Sequence, residues 1–102
     1  MHNELFTVYV TYQETENSHF DRDYYTTTHV PLVIHTWQPY GLIHAAAFYP
    51  KKNTSGTIVI CECVFKNKEA FEKAFAAPET DIVMNDVKQF TNLTPRRLFI
   101  HA

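Results

Sequence analysis

The chain has 102 residues, of which 45% are hydrophobic and 15% aromatic, and nine basic against eleven acidic side chains give a formal charge of -2. That length makes one domain, spanning residues 1–102, whose folding buries about two-thirds of the unfolded chain's surface in a single core. With no basic run, no stretch approaching the ~20 apolar residues of a membrane span, and no basic region followed by a long apolar segment in MHNELFTVYV, the sequence excludes nucleic-acid and membrane partners and predicts a soluble, cytoplasmic protein.

Leu5 to Tyr12 opens the chain as a strand rich in aromatic and β-branched residues. Phe6, Val8, Val10 and Tyr12 share one face, and Leu5, Thr7, Tyr9 and Thr11 the other. After a polar stretch, Asp21 is placed as a helix N-cap, with Asp23 suiting the positive end of the helix. Phe20 and Tyr25 are spaced to pack as a hydrophobic staple across that cap. The helix starts near Arg22 and ends or kinks between His29 and His35, because Pro31 lacks a donor and disfavours helical geometry at Val30. Tyr25 and His29, four apart, share a helix face.

Gln38-Pro39-Tyr40-Gly41 reads as a turn and Leu42 to Tyr49 as the second strand. Pro50 to Gly56 is a polar hairpin loop, and Thr57 to Phe65 the third strand. Ala70, Phe71, Ala74 and Phe75 recur at helical spacing over Lys68 to Ala77, and Pro78 ends that helix. Ile82, Val83, Val87 and Phe90 mark a further short helix over Asp81 to Phe90. Pro95 opens a last strand, Arg96 to His101. The order β-α-β-β-α-β is the split arrangement of a ferredoxin-like α+β fold, with helices on one face of an antiparallel sheet. Strand three carries Ile58, Ile60 and Val64 on one face and Val59, Cys61, Cys63 and Phe65 on the other. Apolar residues on both faces call for a cover on the second, and a second copy of the same sheet supplies it, so a homodimer is expected.

The run F-D-x-x-Y-Y-x-x-x-H-x-P-L, carried by Phe20, Asp21, Tyr24, Tyr25, His29, Pro31 and Leu32 after a short first strand, resembles the signature region of EthD-like proteins, a family of the dimeric α+β barrel superfamily. The resemblance spans the chain as one such domain. It implies the dimeric barrel and oxygenation, dehydration, decarboxylation or isomerisation of a planar, often aromatic or polyketide-like compound. EthD is linked to oxidative degradation of ether compounds, so oxidoreductase is the class most often attached to the family.

His29 is the first candidate for chemistry, because imidazole exchanges a proton near neutral pH and this one shares a face with Tyr25. The plainer reading makes it a C-terminal cap. Tyr24, Tyr25, Trp37 and Tyr40 form an aromatic cluster of the kind that lines pockets for planar ligands, and that also fills ordinary cores. Tyr25 is the best pocket hydroxyl among them, and Trp37 the best stacking wall. His44 lies on strand two, facing either the helices and His29 or a dimer partner. Asp21 is better explained as a cap than as a base.

No HxH, HExxH or paired CxxC spacing occurs, so a metal would need His29, His35 and His44 brought together by folding alone, and none is expected. Gly41 and Gly56 are the chain's two glycines and form no phosphate cradle, so no nucleotide cofactor is expected either. Cys61 and Cys63, two apart on a strand, are poorly placed to join and read as reduced core or cavity-wall residues. The sequons at Asn53 and Asn92 read as chance matches without an export signal. Two functions remain open. One is a cofactor-independent enzyme acting on a small hydrophobic or aromatic molecule, with His29 as acid/base and Tyr25 orienting the substrate. The other is a non-catalytic dimer that binds such a molecule or assists a partner enzyme.

Overall fold

The computed structural model describes residues 4–51 and 56–101. The Asn53-Thr54-Ser55 sequon and most of the expected hairpin loop lie outside the described residues. The elements run β1 (Phe6–Gln13), α1 (Arg22–Tyr24), a π turn (Tyr25–His29), α2 (Val30–Trp37), a 3-10 turn (Gln38–Tyr40), β2 (Leu42–Phe48), β3 (Thr57–Phe65), α3 (Lys68–Ala76), α4 (Thr80–Asp86), a 3-10 turn (Val87–Gln89) and β4 (Arg96–His101). The strands form one antiparallel sheet in the order β2-β3-β1-β4, the ferredoxin-like arrangement the alternation predicted.

Period-two alternation sorts the sheet's side chains. On β1, Phe6, Val8 and Tyr12 are buried under the helices. On β3 the buried set is Val59, Cys61, Cys63 and Phe65, each facing that core. Register places Tyr12 opposite Val59, Val10 opposite Cys61 and Val8 opposite Cys63, so the central pair of strands makes a continuous apolar floor. The helices close over it through Tyr25, Val30, Val33, Trp37, Ala70, Ala74, Val83 and Phe90.

Local signals set the connections. Asn67 caps α3 by accepting from the Ala70 N–H at 2.8 Å, and Ala77 turns extended ahead of Pro78. Gly41 takes φ +109°, a conformation that favours glycine, and a Cβ there would sit 2.7 Å from that of Ala70. The sequence places Ile82 with the inward set of its helix, but 55% of it is exposed. Val83 and Phe90 are buried, with Met84 and Val87 packed at their edge, so the inward stripe runs through 83, 87 and 90 and leaves Ile82, one position round the helix, outside it.

The sheet's outer face is open in the single chain. Phe48 stands opposite Ile60, and both Leu98 and Glu62 pair with Tyr9; Phe48, Leu98 and Ile100 are 53%, 59% and 44% exposed, beside half-buried Ile58, Ile60 and Val64.

Candidate active site

The first helix is assembled in three pieces, and the joints position the site. Asp21 is extended and its carboxylate accepts from the Tyr24 N–H at 3.0 Å, while Phe20 packs on Tyr25 with ring centroids 5.1 Å apart. Cap and staple therefore hold as the sequence suggests. Pro31 neither ends the helix nor leaves it regular. The turn before it widens so that the Val30 N–H donates to the Tyr25 carbonyl five residues back, and α2 then runs on through Pro31 to Trp37. A proline has no N–H for the carbonyl four residues earlier and its ring crowds that carbonyl, so the widened turn falls where an ordinary one is obstructed. His29 is thus an interior helical residue, which removes its reading as a C-terminal cap.

Within this turn the rings of Tyr25 and His29 stack at 5.3 Å with 25° between their planes, and Phe90 packs on His29 at 4.6 Å. His29 is 4% exposed. Its Nδ1 lies 2.9 Å from Oδ2 of Asp86, at the end of α4, and the other oxygen of that carboxylate accepts from the Tyr24 hydroxyl at 2.7 Å. Tyr24, His29 and Asp86 form one network joining the first helix to α4. With Nδ1 committed to the carboxylate, Nε2 is left without a hydrogen-bond partner among the described residues, yet it is not sealed away. Burial lowers the His29 pKa below its ordinary 6.5, and this outweighs the opposing pull of Asp86. At neutral pH the ring is an uncharged imidazole that donates through Nδ1 and keeps a lone pair on Nε2.

His29 lines a cavity of about 30 Å³ between helices and sheet, together with Tyr12, Tyr25, Trp37, Cys61, Cys63 and others. Tyr25 is 2% exposed, and its hydroxyl reaches towards Cys61; burial and that thiol push the phenol's pKa far up, so it stays protonated. The two cysteines are free and buried, with sulfurs 3.9 Å apart. A hydrogen bond from Cys63 lowers the pKa of Cys61, and Cys63 is raised by the same contact.

The remaining candidates divide. Trp37 walls the cavity, but its indole N–H is spent on Thr80 at 2.8 Å and its ring stacks on Phe75 at 4.7 Å. Tyr24 acts behind the site, on Asp86. Tyr40 bonds Glu79 at 2.9 Å and borders a different hollow beside Lys66 and Lys73. His44 stands on the outer face of the sheet, exposed, 3.6 Å from Glu62, with the sheet between it and His29. His35 is exposed on α2, and among the described residues no three His, Cys, Asp or Glu side chains converge to hold a metal ion. The Asn92 amide is tied to the loop after β1 through Asn17 and His19.

Asp86 is the residue the sequence reading missed. A carboxylate three residues after the inward-facing Val83 and four before Phe90 is a polar group on the apolar edge of a helix, and that spacing was its signal. Beyond the cavity lies an open cleft of about 760 Å³ lined by Lys88, Thr91, Asn92, Leu93 and Phe99 among others. Met84, Val87, Pro95 and Arg97 belong to both linings and form the wall between them.

Comparison with known proteins follows the same lines. An EthD-like protein of Ralstonia eutropha superposes with a TM-score of 0.81 at 18% identity, covering 97% of this chain and 92% of its own. An ethyl tert-butyl ether D (EthD) family protein of Bacillus halodurans gives 0.68 at 20% identity over 92% and 96%. SnoaB of Streptomyces nogalater, a cofactor-independent oxygenase, gives 0.59 at 11% identity over 99% and 94%. No curated protein matches significantly. At these identities the structural likenesses establish the fold. The EthD domain model matches residues 13–94, from the end of β1 through α4 to the approach to β4, and the chain belongs to the EthD family.

Proposed function

We propose that this protein is a small enzyme that acts without a bound cofactor on a planar apolar or aromatic compound, using His29 as general base. The observation that carries this reading is the buried, uncharged imidazole whose Nδ1 is fixed by Asp86 and whose Nε2 remains open beside a cavity. Nε2 takes the proton from an acidic substrate O–H or activated C–H, the electron pair stays on the substrate as an enolate or phenolate, and the Asp86 carboxylate stabilises the imidazolium that forms. An electron-rich anion of that kind is the form of an organic compound that gives electrons to dioxygen. An oxidative outcome is therefore the favoured reaction class, supported by the EthD family and by the named activity of SnoaB. Tyr25, held protonated, donates a hydrogen bond within the cavity and orients the ring plane, and Trp37 is a wall. The working form is a cytoplasmic homodimer, with the apolar outer sheet faces of two copies packed together.

The test is oxygen uptake with a panel of phenols and naphthols, paired with ligand affinity for the wild type and His29→Ala. Turnover should fall by about 10²–10⁴-fold in the variant, while affinity stays within about twofold. Equal turnover in both proteins would remove His29 from the chemistry.

The size of the cavity favours a second reading. Engineered cavities that take up benzene measure about 150 Å³, well above the 30 Å³ here. A ligand therefore enters only if the wall of Met84, Val87, Pro95 and Arg97 opens towards the cleft. A non-catalytic carrier would hold its ligand in that cleft, with the His29–Asp86 bond serving as a fastener between helices. His29→Ala would then lower stability with no turnover to lose.

A further inference from the structure

The wall between cavity and cleft contains one charged residue, Arg97, which is solvent-exposed. Arg97 sits on β4 opposite Val10, in the row that faces the helices. Its guanidinium carbon lies 4.9 Å over the ring of Phe75, which is itself stacked on Trp37, and one terminal nitrogen is 3.5 Å from the sulfur of Met84. Among the described residues no carboxylate is within ion-pair reach of it, and the same holds for Lys88, which also lines the cleft. Neither lining includes an aspartate or glutamate. An arginine whose partners are a ring and a thioether keeps its planar fork of donors free for a carboxylate, and the aromatic stack beneath it fixes its direction.

We propose that the ligand of this site is an apolar aromatic acid, with its ring directed to His29 and its carboxylate paired to Arg97 at the mouth. This rests on the cavity and cleft being the ligand site, and it names the substrate class for that reading. The charge pattern supports it beyond the one side chain. Two cations and no anion line the route, so a carboxylate gains field along its whole approach, while a cation is repelled. The inner cavity, lined by Tyr12, Tyr25, Val33, Trp37 and the two cysteines, offers an uncharged bed for a ring.

The experiment compares 2-naphthoate with 2-naphthamide, probes of the same shape that differ in charge, by calorimetry on the wild type, Arg97→Met, Lys88→Met and His29→Gln. Naphthoate is expected to bind the wild type at least about tenfold tighter than the amide, as a charge-assisted pair supplies. Arg97→Met should equalise the two, Lys88→Met should weaken naphthoate less than Arg97→Met does, and His29→Gln should keep the preference. Because no turnover is measured, inactivity of the enzyme would sink the catalytic reading and leave this one standing. Equal affinity of the two probes for the wild type, no naphthoate binding at millimolar concentration, or a preference that survives in Arg97→Met would each overturn the proposal. Should Arg97→Met fail to fold, the Arg97 side-chain N–H resonance of the wild type serves instead: it should shift with naphthoate and not with the amide, and an unmoved resonance counts against the pairing.

Discussion

Asp86→Ala removes the carboxylate on which Tyr24 and His29 both depend, and its cost follows from the geometry. Two hydrogen bonds to a charged group are lost, at 2.7 Å and 2.9 Å, with side-chain exposures of 5% for His29 and 14% for Asp86. The bond from buried His29 contributes about 1.5–3 kcal/mol net, and the Nδ1–H left behind is buried without a partner. Relaxation and water entry return part of this, so the expected loss is about 2–4 kcal/mol, against a total stability of about 5–15 kcal/mol for a domain. In a thermal melt that is a fall on the order of 10–25 °C. A double-mutant cycle with His29→Ala in urea isolates the pair, with a coupling of about 1–3 kcal/mol expected for groups in direct contact. The isosteric Asp86→Asn adds an independent readout. Asp86 raises the His29 pKa, so replacing its charge should lower that pKa further below 6.5 in an NMR titration. Coupling under about 0.5 kcal/mol, or a His29 pKa that rises in Asp86→Asn, would refute the dyad.

Two further predictions follow from the same structure. Because the folded His29 pKa lies below the ordinary 6.5, the unfolded chain binds more protons between those two values. The stabilising contribution is therefore complete above 6.5 and lost as pH falls towards the folded pKa. Denaturation midpoints should decline over that window in the wild type and decline less in His29→Gln, and kcat/KM should rise around the folded His29 pKa to a plateau above it; a midpoint that climbs on acidification would reverse the assignment. On the outer sheet face, Leu98→Glu should turn a dimer into a monomer by sedimentation velocity. With Leu98 59% exposed in the single chain, losing its burial from each of two symmetric copies costs about 2–3.5 kcal/mol, at least about tenfold in Kd, and a wild type that sediments as a monomer at micromolar concentration would remove the dimer.

The strands, the first helix cap and the staple were legible because each rests on contacts within a few residues, Asp21 to Tyr24 and Phe20 to Tyr25; the Asn67 cap of α3 was visible only in the fold. Period-two alternation sorted the side chains of β1 and β3 into two faces, but with apolar residues on both faces of β3 it did not tell which face the helices cover. His44 was ambiguous by sequence because β2 has a bulge between Leu42 and His44, and one inserted residue swaps every side chain beyond it to the other face. Tyr40 looked like a neighbour of Trp37 only along the chain; the 3-10 turn and Gly41 swing it out towards Glu79. Asp86 lay beyond local reasoning because its partner is 57 residues away, although its place on the apolar edge of α4 marked it as a carboxylate with something to bind.

The proline and the aspartate together account for how a histidine in the middle of a helix comes to face a cavity with one nitrogen open. By sequence Pro31 either ends or kinks the helix; the helix continues because the obstruction is absorbed one turn earlier, over Tyr25–His29. A turn widened to a five-residue hydrogen bond carries residues four apart nearer to eclipse than an ordinary turn does, and the near-parallel stack of Tyr25 on His29 is the result. That stack fixes the ring plane but leaves its edge undirected. Asp86, arriving from the opposite end of the chain, selects Nδ1 as the donor and so turns Nε2 away from the helix interface. Neither residue touches the proposed substrate, and each removes a different freedom from the imidazole. The orientation of His29 is therefore set by two constraints of separate origin, one local to the helix and one carried by the fold, while burial keeps the ring uncharged and fit to accept a proton.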